Sequence, residues 1–399
     1  MNTSIQCISN TPSHNLNEVK KIVSFFTSEA VQSVGQFHRS ISGYKESPLI
    51  HLKSLAQSLG VSQIWVKDES HRYGLKSFKV LGALYAIAWC LAEKSGMSSF
   101  PLSFEMLQSH SCRSRLSRIT LTAATDGNHG LAVAWAAGQL GCKAVIYLPG
   151  DSVQARVSAI RELGCEAVVL DGNYDDAVRF AGEQAEKKDW IWIQDTALEE
   201  DSPVPLHIMQ GYTTILDEAS EQLNGAVPTH IFIQCGVGSL ASAMAARSFY
   251  LFKDKRPLLI VVEPEQAACY FQSIKQGTDS PVSIQGDLKT IMAGLACGQA
   301  SVIGWPVLRG LADYFITCSD DIALRGIKLL AHPMDDDSSI VSGESGAVTA
   351  GLLDILLRNE DFWSIAETLG LDERSRILLI STEGDTDPEL YCKSVSSMS

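Results

Sequence analysis

No uncharged apolar run in this 399-residue sequence is longer than Val80–Ala92, which falls short of the roughly 20 residues that a membrane-spanning helix requires. Basic residues are scarce: 32 Lys and Arg stand against 46 Asp and Glu, and the resulting net charge of −14 argues against nucleic acid or an anionic membrane as a main partner. The ten cysteines contain no C-x-x-C pair. They lie in apolar, strand-like surroundings such as Ile233–Cys235 and read as reduced core thiols, with no metal site implied. The leader Met1–Asn17 has neither Lys nor Arg nor an apolar block, so no secretory signal is expected. What is present, 45% hydrophobic and 20% charged residues, is ordinary globular composition with length for two or three structural units. The expectation is a soluble, cytoplasmic protein.

Short β-branched segments alternate with longer segments of helical apolar spacing, the sequence form of an α/β protein with parallel sheets covered by helices. Expected strands include 64–66, 119–123, 144–148, 167–170, 231–234, 258–262 and 377–381. Expected helices include 131–140, 153–163, 175–186, 240–252 and 347–357. The runs at about 81–200 and 205–399 each hold enough units for a sheet, with a ligand cleft between them. The polar stretch Ser98–Arg118 reads as a surface insertion.

Three segments carry chemistry. In Gln234-Cys235-Gly236-Val237-Gly238-Ser239-Leu240-Ala241 a strand end enters a glycine turn and then a helix. Its backbone N–H groups and helix N-terminus suit a phosphate monoester. It has neither the dinucleotide spacing nor a Gly-Lys-Ser/Thr, and a tight turn that binds nothing is the other reading. In Gly74-Leu75-Lys76-Ser77-Phe78-Lys79, the last lysine opens the uncharged helix. Partial burial would make its amine a nucleophile able to form a Schiff base; otherwise it snorkels to solvent. In Thr125-Asp126-Gly127-Asn128-His129-Gly130, at a strand-to-helix junction, Asp126 is either a helix cap or a catalytic carboxylate.

Together with Lys67-Asp68-Glu69-Ser70, Met292-Ala293-Gly294-Leu295, Ser342-Gly343-Glu344-Ser345-Gly346-Ala347 and Ser381-Thr382-Glu383-Gly384-Asp385-Thr386-Asp387, these segments resemble the pyridoxal-phosphate enzymes of β-elimination and β-replacement. That group contains the serine/threonine dehydratases and tryptophan synthase β chains. Within it the sequence is most similar to the diaminopropionate ammonia-lyases. The resemblance implies fold type II: two doubly wound open sheets flanked by helices, with the cofactor between a large domain, 1–80 plus 205–399, and a small one, 81–204.

The resemblance also implies residue roles. Lys79 is the Schiff-base lysine; Gly236, Val237, Gly238 and Ser239 hold the cofactor phosphate; Asn128 holds the ring's phenolic oxygen; Ser381 faces the pyridine nitrogen. A neutral hydroxyl there leaves that nitrogen largely unprotonated, which suits elimination more than transamination. Dehydratases of the group carry Ser or Thr where this chain has Asp126. Lys79 reaches one face of the planar adduct, so a carboxylate on the other face would deprotonate the opposite enantiomer, and it would attract a second substrate ammonium. Asp195 resembles an acidic position near the substrate, although Thr196-Ala197-Leu198-Glu199 is a capping-box pattern that Asp195 would merely precede.

The implied activity is that of a homodimeric lyase converting 2,3-diaminopropionate, D or L, to pyruvate and ammonia. A dehydratase-like or β-replacement enzyme and a non-catalytic amino-acid-binding protein are the alternatives. His129 reads as a structural partner, Cys235 as a buried strand residue, and Glu344 as either near the cofactor ring or at a helix start. Lys76 and the acidic turn His332–Asp337 depart from the family pattern.

Overall fold

The computed structural model of the chain describes residues 3–10, 16–96, 102–125, 127–150, 152–197, 199 and 202–396. Three strands come first, β1 (Ile5–Ser9), β2 (Leu49–His51) and β3 (Gln63–Asp68). Four follow, β4 (Thr120–Ala124), β5 (Lys143–Leu148), β6 (Glu166–Val169) and β7 (Ile191–Trp192). Four more are β8 (His230–Gln234), β9 (Leu258–Pro264), β10 (Tyr314–Cys318) and β11 (Arg376–Ser381). The first and last sets form one sheet in the order β1-β10-β9-β8-β11-β3-β2, and the middle set forms a second, β6-β5-β4-β7. The second sheet is parallel throughout. The first is parallel inside, with β1 and β2 antiparallel at its edges.

Parallel strands buried on both faces require unbroken apolar sequence, and β9 supplies it. Leu259 and Val261 enter the core on one face of the large sheet, Ile260 and Val262 the core on the other. All seven expected strands are present within a residue or two of their expected ends. β1, β2, β7 and β10 were not anticipated. β1 lies in the polar leader, where Gln6 and Ser9 are exposed and the strand is held by its ladder to β10; an edge strand half in water leaves a weak pattern.

The apolar helix Lys79–Lys94 is a core helix, with Val80, Leu81, Leu84, Ile87 and Leu91 fully buried. It crosses the helix Pro203–Gln222 at a glycine contact: a Cβ on Gly82 would meet the Ile208 carbonyl oxygen at 2.7 Å, and one on Gly211 would meet the Gly82 Cα at 2.6 Å. The Ser98–Arg118 stretch is only partly the surface insertion expected. Residues 97–101 lie outside the described set, but helices Phe104–Gln108 and His110–Leu116 bury Phe104, Leu107 and Leu116 while Arg113 and Arg115 stay exposed. In the His332–Asp337 turn, Asp337 accepts from Ser54 N (3.0 Å) and Leu55 N (2.8 Å), so its carboxylate starts the helix Lys53–Ser58.

Lys67 and Glu69, from one of the quoted motifs, belong to a fully buried ionic cluster. Lys67 Nζ donates to Glu218 Oε2 (2.7 Å), and Arg72 donates to both oxygens of Glu69 and of Glu218. All four side chains have zero exposure. Two cations against two anions make the cluster neutral, which is what lets charges sit in a core. It anchors β3, and the turn leading to Lys79, onto the helix Pro203–Gln222.

Candidate active site

A cavity of about 640 Å³ lies beyond the C-terminal ends of β4, β8 and β11, drawing walls from both sheets. Strand ends are where open α/β sheets bind ligands, because loops and helix N-termini converge there. On one side is the glycine turn after β8. Gly238 has φ +95°, a left-handed backbone that glycine adopts without steric cost, and any Cβ there would overlap the Tyr270 ring. The helix Ser239–Phe252 starts immediately after it. Gly236 lies against the Ala293–Leu295 turn, with its missing Cβ 3.0 Å from the Gly294 oxygen. Gly236, Val237, Gly238 and Ser239 all line the cavity, at the start of that helix.

Lys79 and Asp195 meet at the same cavity. Lys79 Nζ lies 2.5 Å from Asp195 Oδ2, and the two side chains are 14% and 4% exposed. Asp195 Oδ1 accepts from Tyr174 Oη (3.2 Å) and Gln194 Nε2 (3.3 Å). His129 Nδ1 is 3.9 Å from Oδ2. Burial pushes the Asp195 carboxyl up, but the Lys79 ammonium, His129 and the hydrogen bonds from Lys79 and Tyr174 outweigh it and hold the group well below the usual carboxylate range. His129 Nε2 donates to the Ile193 carbonyl at 2.7 Å, so its ring braces the chain just before Asp195. The capping-box pattern after Asp195 opens no helix among the described residues; the next helix is Pro203–Gln222.

Asp126 lies outside the described residues. Its neighbour Thr125 Oγ1 accepts from Gly127 N (2.8 Å) and Gly130 N (2.9 Å), which closes the start of the helix Asn128–Leu140. Asn128 lines the cavity, and its Nδ2 donates to Glu383 Oε2. Glu383 Oε1 accepts from Ser345 N at 3.0 Å. Ser381 is buried at the end of β11 with its hydroxyl donating to Ser342 Oγ at 2.8 Å; Thr382 and Glu383, the next two residues, are the ones in the cavity wall. Glu344 pairs with Arg156 at 2.8 Å at the start of the helix Glu344–Arg358. Burial first, and the Glu383 carboxylate second, push the Glu344 carboxyl up to about 7 against the pull of Arg156.

Gln234, Tyr174, Arg156 and Thr382 are cavity residues that sequence reasoning did not single out as site residues. Gln234 had a signal, a polar amide closing an otherwise apolar strand beside glycines. Its Nε2, with two N–H groups to give, lies 2.9 Å from the Ser345 and Ile380 carbonyls and from Thr382 Oγ1, and so ties the end of β8 to the end of β11 and to the start of the helix Glu344–Arg358. Tyr174 and Arg156 come from helices with no local mark of a site.

Gln234 Oε1, Tyr212 Oη and Ser345 Oγ are buried without a hydrogen-bond partner among the described residues, and all three residues line this cavity. Buried polar atoms without partners are costly, and clustered around one cavity they fit a polar ligand. An amine on one side, a glycine-lined helix N-terminus on the other and a volume suited to a substituted ring fit a phosphorylated aromatic aldehyde. Fold and site therefore define a pyridoxal-phosphate enzyme.

Comparison with known proteins agrees. A family model described as "Pyridoxal-phosphate dependent enzyme" matches residues 41–362. The diaminopropionate ammonia-lyase of Escherichia coli is 44% identical over 92% of this chain and 91% of its own. That of Salmonella typhimurium is 44% identical over 89% of each. The crystal structure of the E. coli enzyme in complex with D-serine superposes with a TM-score of 0.88 at 40% identity, covering 99% of this chain and 97% of the other. Its complex with an aminoacrylate-PLP azomethine reaction intermediate matches equally. The chain belongs to the pyridoxal-phosphate dependent enzyme family and, within it, to the diaminopropionate ammonia-lyases.

Proposed function

We propose that this protein converts 2,3-diaminopropionate and water to pyruvate and two ammonia by α,β-elimination. The observation that carries the reading to a diamino substrate is the Lys79–Asp195 ion pair. Asp195 is a buried carboxylate already holding an ammonium, and once the Lys79 amine is engaged covalently, that anion is left to receive another one. A second substrate ammonium is the group it fits.

Pyridoxal phosphate, when bound, supplies the electron sink that acidifies the substrate's α-hydrogen. Lys79 would hold the cofactor through its amine, and that amine, when free, would take the substrate's α-proton from one face. The residues at 236–239 bind the phosphate through backbone N–H groups. Asn128 orients the ring's phenolic oxygen with its amide, and Glu383 fixes that amide's rotation. The end of β11 would supply the neutral hydroxyl opposite the ring nitrogen: Thr382 stands in the cavity wall there, and Ser381, the residue the family resemblance gives that role, lies behind it bonded to Ser342. Asp126 takes the α-proton of the other enantiomer. Asp195 binds the β-ammonium and releases it as ammonia.

The large unit, 1–80 with 205–399, carries the first sheet, and the small unit, 81–204, the second. A homodimer is supported by the family resemblance of the motifs. A cytoplasmic location is supported by ten cysteines that are all free thiols, and no described helix is long and apolar enough to cross a membrane.

The test is pyruvate release by the cofactor-loaded protein from D- and L-2,3-diaminopropionate, with D- and L-serine and L-threonine in parallel. Release from diaminopropionate far above the hydroxy amino acids is expected. Preference for serine or threonine would make it a dehydratase, and no pyruvate with cofactor visibly bound would leave β-replacement or amino-acid binding. Asp126→Asn is expected to keep the cofactor absorption band and lose one enantiomer selectively; equal loss of both would give Asp126 a structural role.

A further inference from the structure

We infer that Tyr270 is a positioning residue for the cofactor phosphate: it turns the Val237–Gly238 peptide so that the Gly238 N–H faces the cavity. This rests on the reading of the cavity as a pyridoxal-phosphate site. Tyr270 Oη donates to the Val237 carbonyl at 3.0 Å, and Ser301 N donates to the same oxygen at 2.9 Å. In a planar trans peptide the N–H points opposite to the C=O. Val237 and Gly238 line the cavity and neither donor does, so a carbonyl held by both donors turns its peptide's N–H toward the cavity.

Tyr270 is built to hold that pose. It has zero exposure, and its ring lies nearly parallel to Phe315 with centroids 6.5 Å apart. It fills the space that a side chain at residue 238 would need. Its backbone is fixed by Glu263, also fully buried, whose two oxygens accept from Tyr270 N (2.9 Å) and Phe271 N (2.7 Å) and close the start of the helix Cys269–Gln276. Burial pushes the Tyr270 phenol well above its ordinary range, so the hydroxyl stays a donor throughout the working pH. None of this was visible locally, because 33 residues separate Tyr270 from the carbonyl it holds.

The experiment titrates apo wild-type, Tyr270→Phe and Glu263→Gln proteins with pyridoxal phosphate and, separately, with pyridoxal, which has the same aldehyde and ring but no phosphate. Tyr270→Phe keeps the ring against Gly238 and removes one neutral hydrogen bond, so pyridoxal phosphate should bind about three- to tenfold more weakly. Pyridoxal affinity should stay unchanged, and the 31P resonance of the bound cofactor should move. Glu263→Gln, which can accept only one of the two N–H groups, should show the same selectivity to a smaller degree, and it supplies the comparison if Tyr270→Phe does not fold. Equal loss for both ligands, or no loss for either, would overturn the inference. If the wild type bound pyridoxal phosphate no better than pyridoxal, the phosphate-site reading itself would fail, a result distinguishable from the variant's.

Discussion

Asp195 faces two different cations in the proposed cycle. In the ligand-free chain it neutralises Lys79; in the loaded enzyme it is proposed to hold the substrate's second ammonium. Asp195→Asn preserves the shape and the bonds from Tyr174 and Gln194 but removes the charge. A charge-assisted hydrogen bond is worth about 1.5–3 kcal/mol, so kcat/KM for diaminopropionate should fall by roughly 10- to 150-fold. Any residual turnover of D-serine, which has no second ammonium, should fall much less. Equal losses on the two substrates would mean that Asp195 serves geometry alone. In the sequence Asp195 stood out only by its resemblance to an acidic position near the substrate, and its partner was not legible: Lys79 is 116 positions away in the chain.

At the scale of elements, two contacts set the frame of the site. The first is the crossing of Lys79–Lys94 with Pro203–Gln222. Helix propensity alone would make Gly82→Ala stabilising by up to about 1 kcal/mol. The contact decides otherwise, because the new methyl would press on the Ile208 carbonyl and side chain and on Tyr212. Overpacking costs about 1–3 kcal/mol, so a net loss of stability in urea is expected, together with a displaced Lys79. The second is Glu263 at the end of β9. Burial pushes its carboxyl up to about 8, against two backbone N–H bonds that pull it down. The folded state then holds a proton that the unfolded chain, with its group near the ordinary value of 4.5, has released. Stability therefore falls as pH rises between those values. Glu263→Gln should flatten that fall in thermal melts taken across the same range, even though its starting stability is lower.

Across the whole molecule, the buried cluster of Lys67, Glu69, Arg72 and Glu218 joins segments 146 or more residues apart. Arg72 and Lys67 converge on Glu218, whose carboxyl burial raises but the two cations hold down at about 2. Glu218→Gln would leave two buried cations facing the single carboxylate of Glu69. Breaking a buried pair costs about 3–5 kcal/mol, and a loss of that size in denaturant unfolding is expected, with the apo and loaded proteins affected alike because the cluster lies outside the cavity wall.

The sequence by itself determined the α/β class, seven of the strands, the helix that Lys79 opens and the glycine turn, while the cofactor was implied by the family resemblance of the ordered motifs. Each of these is written in residues a few positions apart, where apolar period, glycine placement and charge act locally. The tertiary structure decided the rest: that Asp195 pairs with Lys79, that Asn128 leans on Glu383, that Thr382 rather than Ser381 forms the cavity wall, that Asp337 starts a distant helix, and that Tyr270 stands behind the glycine turn. Those pairings join residues brought together only when crossover connections stack strands in the order β8-β11-β3 and β10-β9-β8, and the energy of a buried charge or hydrogen bond depends on which partner that stacking delivers.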